Sequence, residues 1–275
     1  MPSSKLLVDV PSIYKGFPQI AAGLTLKNAD AMLDTRGVYF GVSDKERRRR
    51  SVELLRQYLP PNVAIVWNAE KHEVSVRSVD AGSDNFLAAD GMITQAKNVI
   101  ITAKSADCHI VSVFDPVTQS IGIIHSGFAG TGLKAPKVLI KSMQKEFDCN
   151  VRDLRVSVSA GAGREYFVFE QEIEAYPKSY YLRLPAYSYL HTKKPMAQWR
   201  WEKIHSGEEK AVFIPLIRQY IIDQLLELNI PSSQIDTSTV DTIVSVQYNS
   251  YRRDASTINY PIQHGLSTGF IGMIT

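Results

Sequence analysis

The chain has 275 residues, 44% apolar and 21% charged, the balance of an ordinary globular protein and enough for a single domain over 1–275. A formal net charge of +3, with its cations mostly scattered, argues against a nucleic-acid binder, and no apolar run reaches the roughly 18 residues a membrane span needs. Two cysteines, Cys108 and Cys149, exclude a disulfide framework, and the N-terminal stretch lacks a signal-like apolar core, so a reducing, cytoplasmic setting is expected.

In chain order, "QIAAGLTL" and "GVYFGV" read as short strands. Ser43 to Tyr58 reads as a helix, capped by Ser43 or Asp44 and stopped by Pro60-Pro61, with "KERRRR" as its solvated start. "NVAIVWN" reads as a buried strand and "HEVSVRSV", 72 to 79, as an alternating one. "DAGSDNFLAADG" reads as a loop before two more strands, "MIT" and "NVIITAK". The arms "CHIVSVF" and "QSIGIIH" form a hairpin around "DPVT", apolar on both faces and so covered on both sides. Lys134 to Phe147 reads as an amphipathic helix, and "LRVSVSAGAG" as a strand running into a glycine loop. The tyrosine-rich stretch around 176–189 gives no firm assignment. Ala211 to Leu228 reads as a helix, "TIVSVQYNSYRRD" as a strand, and "STGFIGMIT" as the last strand. Mixed strands and helices without strict alternation predict an α+β fold of mixed β-sheets layered with helices.

The hairpin carries the chemistry. Closed by Phe114 and Gln119, it sets Cys108 directly opposite His125, at the roughly 5 Å Cβ spacing of a cross-strand pair. That spacing suits two ligands of one zinc ion, a thiol activated by an imidazole, or a packed core pair. Zinc needs a third protein ligand. His109 points to the other face, His191 and His205 lie in a polar stretch and His264 in a loop. His72, opening a strand, is the best placed. Asp107 flanks the pair as a candidate acid or base, as an acceptor behind the pair, or simply as a turn residue before the strand. The glycines of "HSGFAGTG", Gly127 and Gly130 among them, let backbone N–H groups approach an anion.

"SADC" at 105–108, "HSGFAG" at 125–130 and "SYRRD" at 250–254 resemble the signatures T-A-D-C, H-A-G-W-R-G and S-Y-R-R-D of the multicopper polyphenol oxidase, or laccase-domain, family. Weaker likenesses are "EKHE" to Q-V-H-G, "ADGMIT" to A-D-A-L-V-T, "LTLK" to F-T-T-R and "STGF" to a final T-G-R, so the resemblance runs in order over about residues 20 to 275. It implies a laccase-domain fold like that of cytotoxic necrotizing factor. It implies a zinc-dependent enzyme that performs phosphorolysis of purine nucleosides such as adenosine and inosine, or deamination of adenosine. It implies His72, Cys108 and His125 as metal ligands, and nucleoside and phosphate as partners. Zinc is expected over copper, because one cysteine and two well-placed histidines are too few for a multicopper cluster.

The family's arginines are replaced at Ala129 and Phe270, and Lys27 stands for a third. Phosphate contacts are then expected from Gly127, Gly130, Lys27, Arg164 and one of Arg252 and Arg253, which alternate along a strand. Two rival readings stay open. One is a Cys108/His125 cysteine hydrolase or deamidase, a chemistry that a related fold supports. The other is a metal-binding family member that has lost catalysis.

Overall fold

The computed structural model describes residues 8–27, 53, 55–69, 74–83, 86–163, 201–205, 211–215, 217–255 and 266–275. In chain order, β1 (Val8–Asp9) leads through a 3-10 turn at Ser12–Tyr14 into β2 (Ile20–Thr25). Then follow β3 (Ala64–Ala69), β4 (Val76–Ser78), β5 (Phe86–Ala88), β6 (Gly91–Thr94) and β7 (Val99–Ser105). The hairpin strands are β8 (His109–Asp115) and β9 (Ser120–Ser126), followed by α1 (Phe128–Gly132), α2 (Ala135–Phe147) and β10 (Arg155–Val158). The C-terminal part supplies β11 (Trp201–His205), β12 (Ala211–Pro215), α3 (Ile217–Leu226), β13 (Ile235–Thr237), α4 (Tyr251–Ala255) and β14 (Ser267–Met273).

Two six-stranded sheets, ordered β1-β2-β14-β7-β3-β5 and β13-β10-β8-β9-β6-β4, stack face to face among the described residues. Ile101 and Ile271 of one sheet meet Ile110, Phe114, Ile121 and Ile123 of the other in the core between them. On the far side of the second sheet, Val111, Val113 and Ile124 pack under Leu139, Ile140 and Met143 of α2 and Ile221 and Leu225 of α3. On the far side of the first, Leu55, Leu59, Ile65, Trp67, Ile100 and Phe270 form a third core. This is the expected α+β layering. The strands β8 and β9 are buried at all seven positions each, as their two-sided apolar sequences require.

The hairpin register differs from the sequence reading. Its last pair is Asp115–Ser120, so Ile110, not Cys108, stands opposite His125. The cause is local. The Asp115 carboxylate accepts from the N–H groups of Val117 (2.8 Å) and Thr118 (3.3 Å), and Gln119 takes a left-handed φ of 51°. The turn therefore occupies Pro116 to Gln119. The slip is one residue on each arm, so each residue keeps its face.

Three segment readings are corrected. Ala211–Pro215 is a strand paired with Trp201–His205, and the helix begins only at Ile217. "AVFI" is β-branched and aromatic, and Pro215 biases the residue before it toward extended backbone. Residues 86–88, read as loop, pair in parallel with β3. "TIVSVQYNSYRRD" is not a strand: it makes turns from Asp241 and then the short helix α4. Its Val244 and Val246 are exposed, and no strand among the described residues pairs with them. The strand read at "GVYFGV", most of the helix from Ser43, and the tyrosine-rich stretch lie outside the described residues.

Candidate functional site

Cys108 lies one residue ahead of β8. Extending the hairpin register by one step sets it against Gly127. A Cβ on Gly127 would lie 2.5 Å from Cys108 Sγ and 3.2 Å from Cε1 of His125. The two side chains therefore meet over this glycine, whose missing side chain is the space the sulfur occupies. His125 shares the inter-sheet face with Ile121 and Ile123 and is 5% exposed. Burial lowers its pKa to about 4, against the opposing pull of the Asp90 carboxylate. Its imidazole is therefore neutral at pH 7, the form that ligates a metal.

Asp90 is a site residue that no spacing argument singled out. It is 2% exposed, its carbonyl takes the His125 N–H at 3.0 Å, and its carboxylate is held by the Ser75 N–H (2.9 Å) and hydroxyl (3.2 Å). The available signal was an aspartate inside an otherwise apolar strand entry, "AADGMIT".

Asp107 stands beside the pair with both carboxylate oxygens engaged. One accepts from the Thr242 hydroxyl and the other from the Arg252 N–H, each at 2.7 Å, while its carbonyl takes the Ala162 N–H at 2.7 Å. Its φ of 83° is a strained value that aspartate tolerates better than most residues. Asp107 thus ties three segments together behind Cys108. This geometry fits the acceptor reading, with one hydrogen bond accepted on each carboxylate oxygen.

The two arginines are on a helix, not on opposite faces of a strand. The Arg253 guanidinium donates to the carbonyls of Thr242 (2.9 Å), Ser245 (2.8 Å) and Tyr248 (2.7 Å), which fixes the 242–248 loop. Ser250 accepts the Arg253 N–H at 3.1 Å as the helix cap. The same loop meets Lys27, whose N–H donates to the Gln247 carbonyl at 2.6 Å. Lys27, the loop, Asp107 and Cys108 therefore form a hydrogen-bonded chain at one end of the sandwich. Gly127 and Gly130 are not in an open loop: "FAGTG" closes into α1, and both glycines are buried. Ala129 is packed in the helix-side core and Phe270 in the outer core, edge-on to Tyr58 at 5.6 Å.

His109 does face the other side, as expected. It is fully buried, its Nδ1–H donates to the Ser159 carbonyl at 2.9 Å, and its ring lies against Gly161. Burial holds its pKa near 4. His72, Arg164, His191 and His264 lie outside the described residues. Among the described residues no group of three or more metal-binding side chains is assembled. The thiol and imidazole that do meet are zinc's preferred donor types, so these two side chains fit the ion.

The family model described as multi-copper polyphenol oxidoreductase laccase matches residues 37–272. A protein named purine nucleoside phosphorylase LACC1 from Mus musculus is 35% identical over 83 residues, 30% of this chain and 19% of its own length. Purine nucleoside phosphorylase YlmD of Bacillus subtilis (strain 168) is 28% identical over 192 residues, 63% of this chain and 68% of that protein. The match thus spans about a fifth of the mouse relative. The crystal structure of the Bacillus licheniformis hypothetical protein YfiH superposes with a TM-score of 0.71 at 20% identity, covering 98% of this chain and 99% of that one. That of YlmD from Geobacillus stearothermophilus also gives 0.71, at 19% identity, with 95% and 94% covered. No helix among the described residues is long and apolar enough to cross a membrane. With the signature residues of "SADC" and "HSGFAG" meeting over Gly127, the fold shared end to end and the model matching most of the sequence, the chain belongs to the multi-copper polyphenol oxidoreductase laccase family.

Proposed function

We propose that the chain is a zinc-dependent purine nucleoside phosphorylase. The observation that carries this reading is the meeting of Cys108 and His125 over Gly127, in a chain whose relatives bear that name. His72, Cys108 and His125 would hold the metal, the cysteine as thiolate and the histidines neutral, the state in which burial keeps His125. Zinc would supply Lewis acidity next to the bound nucleoside.

In the reaction a phosphate oxygen bonds to C1′ of the ribose while the bond from C1′ to N9 breaks. The purine leaves with that electron pair and takes up a proton. Lys27 and Arg252 are the cations proposed for phosphate, since the Arg253 guanidinium clamps the 242–248 loop. Asp107 is proposed to hold the Cys108 segment rather than to move a proton. Asp90 is proposed to fix the His125 backbone through its carbonyl and to act on the imidazole through its charge.

The test is incubation with inosine and with adenosine, with and without phosphate, reading free base and ribose 1-phosphate by chromatography and zinc by mass spectrometry. Phosphate-dependent base release is expected, falling at least about a hundredfold in Cys108→Ser and His125→Ala. Release of inosine and ammonia from adenosine without phosphate would identify deamination as a second activity. Folded, zinc-loaded protein that releases no base would sink the reading. Alkylation of Cys108 by iodoacetamide below pH 7, with zinc present and no chelator, would favour a thiol nucleophile instead.

A further inference from the structure

A cavity of about 230 Å³ lies between the two sheets, at the edge where β1 and β2 face β10 and β13. Neither Cys108, His125 nor Lys27 lines it. Its floor is aliphatic, from Leu24, Ile110 and Ile123 of the inter-sheet core. Its polar wall carries the carboxylates of Asp9 and Asp236 and several serine hydroxyls. No lysine, arginine or histidine among the described residues lines it.

Most of those hydroxyls are engaged. Ser12 donates to Asp236 at 2.9 Å, Ser112 bonds the Tyr14 hydroxyl at 3.0 Å, and Ser159 donates to the Ala160 carbonyl at 2.8 Å. Ser238 accepts the Val240 N–H at 3.3 Å. Ser157 differs. It is 5% exposed, and alternation along β10 turns it away from the helix-side core that holds Val156 and Val158. Among the described residues its hydroxyl has no hydrogen-bond partner. The carboxylates are half engaged. Asp9 Oδ2 accepts from Tyr248 at 2.8 Å, and Asp236 Oδ2 from Ser12 and from the Ile13 N–H at 3.1 Å. The second oxygen of each has no hydrogen bond among the described residues.

Asp9 and Asp236 are half-buried and, like the Ser157 hydroxyl, line the cavity, so a ligand donor there takes the place of water. Two negative groups turn anions away. A neutral polyol answers the hydroxyl but not the charge. An ammonium group has three donors and answers both, and an aliphatic stem suits the floor. At about 30 Å³ per water, the volume holds roughly seven waters, which limits the ligand to a small molecule. We propose that this cavity is a binding site for a small alkylammonium ion, its charge facing Asp9 and Asp236, its N–H groups available to Ser157, and its methylenes on Leu24, Ile110 and Ile123.

Isothermal titration calorimetry of the full chain with 1,4-diaminobutane, butane-1,4-diol and succinate tests this without any variant. The diamine is expected to bind saturably, the diol at least about tenfold more weakly and succinate not at all. Diol binding as tight as the diamine, or no heat with millimolar diamine, overturns the proposal. Asp9→Asn removes one charge while leaving the Asp236 tether intact, and Ser157→Val replaces the buried hydroxyl by methyl groups. Each folded variant, checked by circular dichroism, is expected to weaken diamine binding about tenfold; unchanged affinity in both overturns the assignment. The titrations run without phosphate, nucleoside or added zinc, so their outcome and that of the phosphorolysis assay are independent.

Discussion

His109 and His125 stand on adjacent rungs of the hairpin and share one physical condition, an imidazole kept neutral by burial with a pKa near 4. The ordinary value is about 6.5, so the unfolded chain takes up protons first as pH falls. The stability these groups contribute is fully present above about pH 6.5 and is lost as pH drops toward 4, amounting to about 3 kcal/mol for His109. Urea titrations from pH 7.5 to 4.5 are expected to show this loss. His109→Leu, which removes one buried imidazole with an Nε2 that has no partner among the described residues, is expected to shrink the slope. Gly127→Ala is a second test at this scale. Its methyl group would fall on the Cys108 sulfur, so zinc retention, read by mass spectrometry, is expected to drop while the fold survives.

Among the elements, α1 decides what position 129 can hold. Ala129 is 6% exposed and packs with Ala135 and Leu139 in the helix-side core. Ala129→Arg is therefore expected to destabilise by about 3 kcal/mol or more, through overpacking and a buried charge, and not to create a phosphate contact. A thermal melt checks the first expectation and the phosphorolysis assay the second. The 242–248 loop depends instead on α4. Arg253→Ala removes the donors that hold the carbonyls of Thr242, Ile243, Ser245 and Tyr248, and is expected to raise amide exchange across the loop, measured by mass spectrometry. Asp107→Ala is expected to act on the same loop from the other side, by freeing the Thr242 hydroxyl and the Arg252 N–H. Both variants are expected to keep the sandwich, whose cores they do not enter.

For the whole molecule, the two sheets place the catalytic candidates at one end of the sandwich and the serine-lined cavity at the edge bounded by β1 and β13. A ligand that binds only the folded chain raises its melting temperature by mass action. Zinc is expected to do so in the native chain and not in Cys108→Ser. The diamine is expected to do so in both, which separates the two sites by one measurement.

The sequence alone determined the strands whose apolar pattern is long and local: β3, β7 to β10 and β14, and the helix α2. It also determined that Cys108 and His125 share a face, because a register slip of one residue on each arm leaves facing unchanged. Tertiary structure decided what rests on distant partners. "AVFIP" is a strand because Trp201–His205 lies beside it. "SYRRD" is a helix because Ser250 caps it and Asp107, far away in sequence, receives its Arg252 N–H. The roles of Asp107, Asp90 and Arg253 were hidden for the same reason. A side chain's residue type fixes which bonds it can make, but the partners that use them come from other elements, and only the folded chain brings those together.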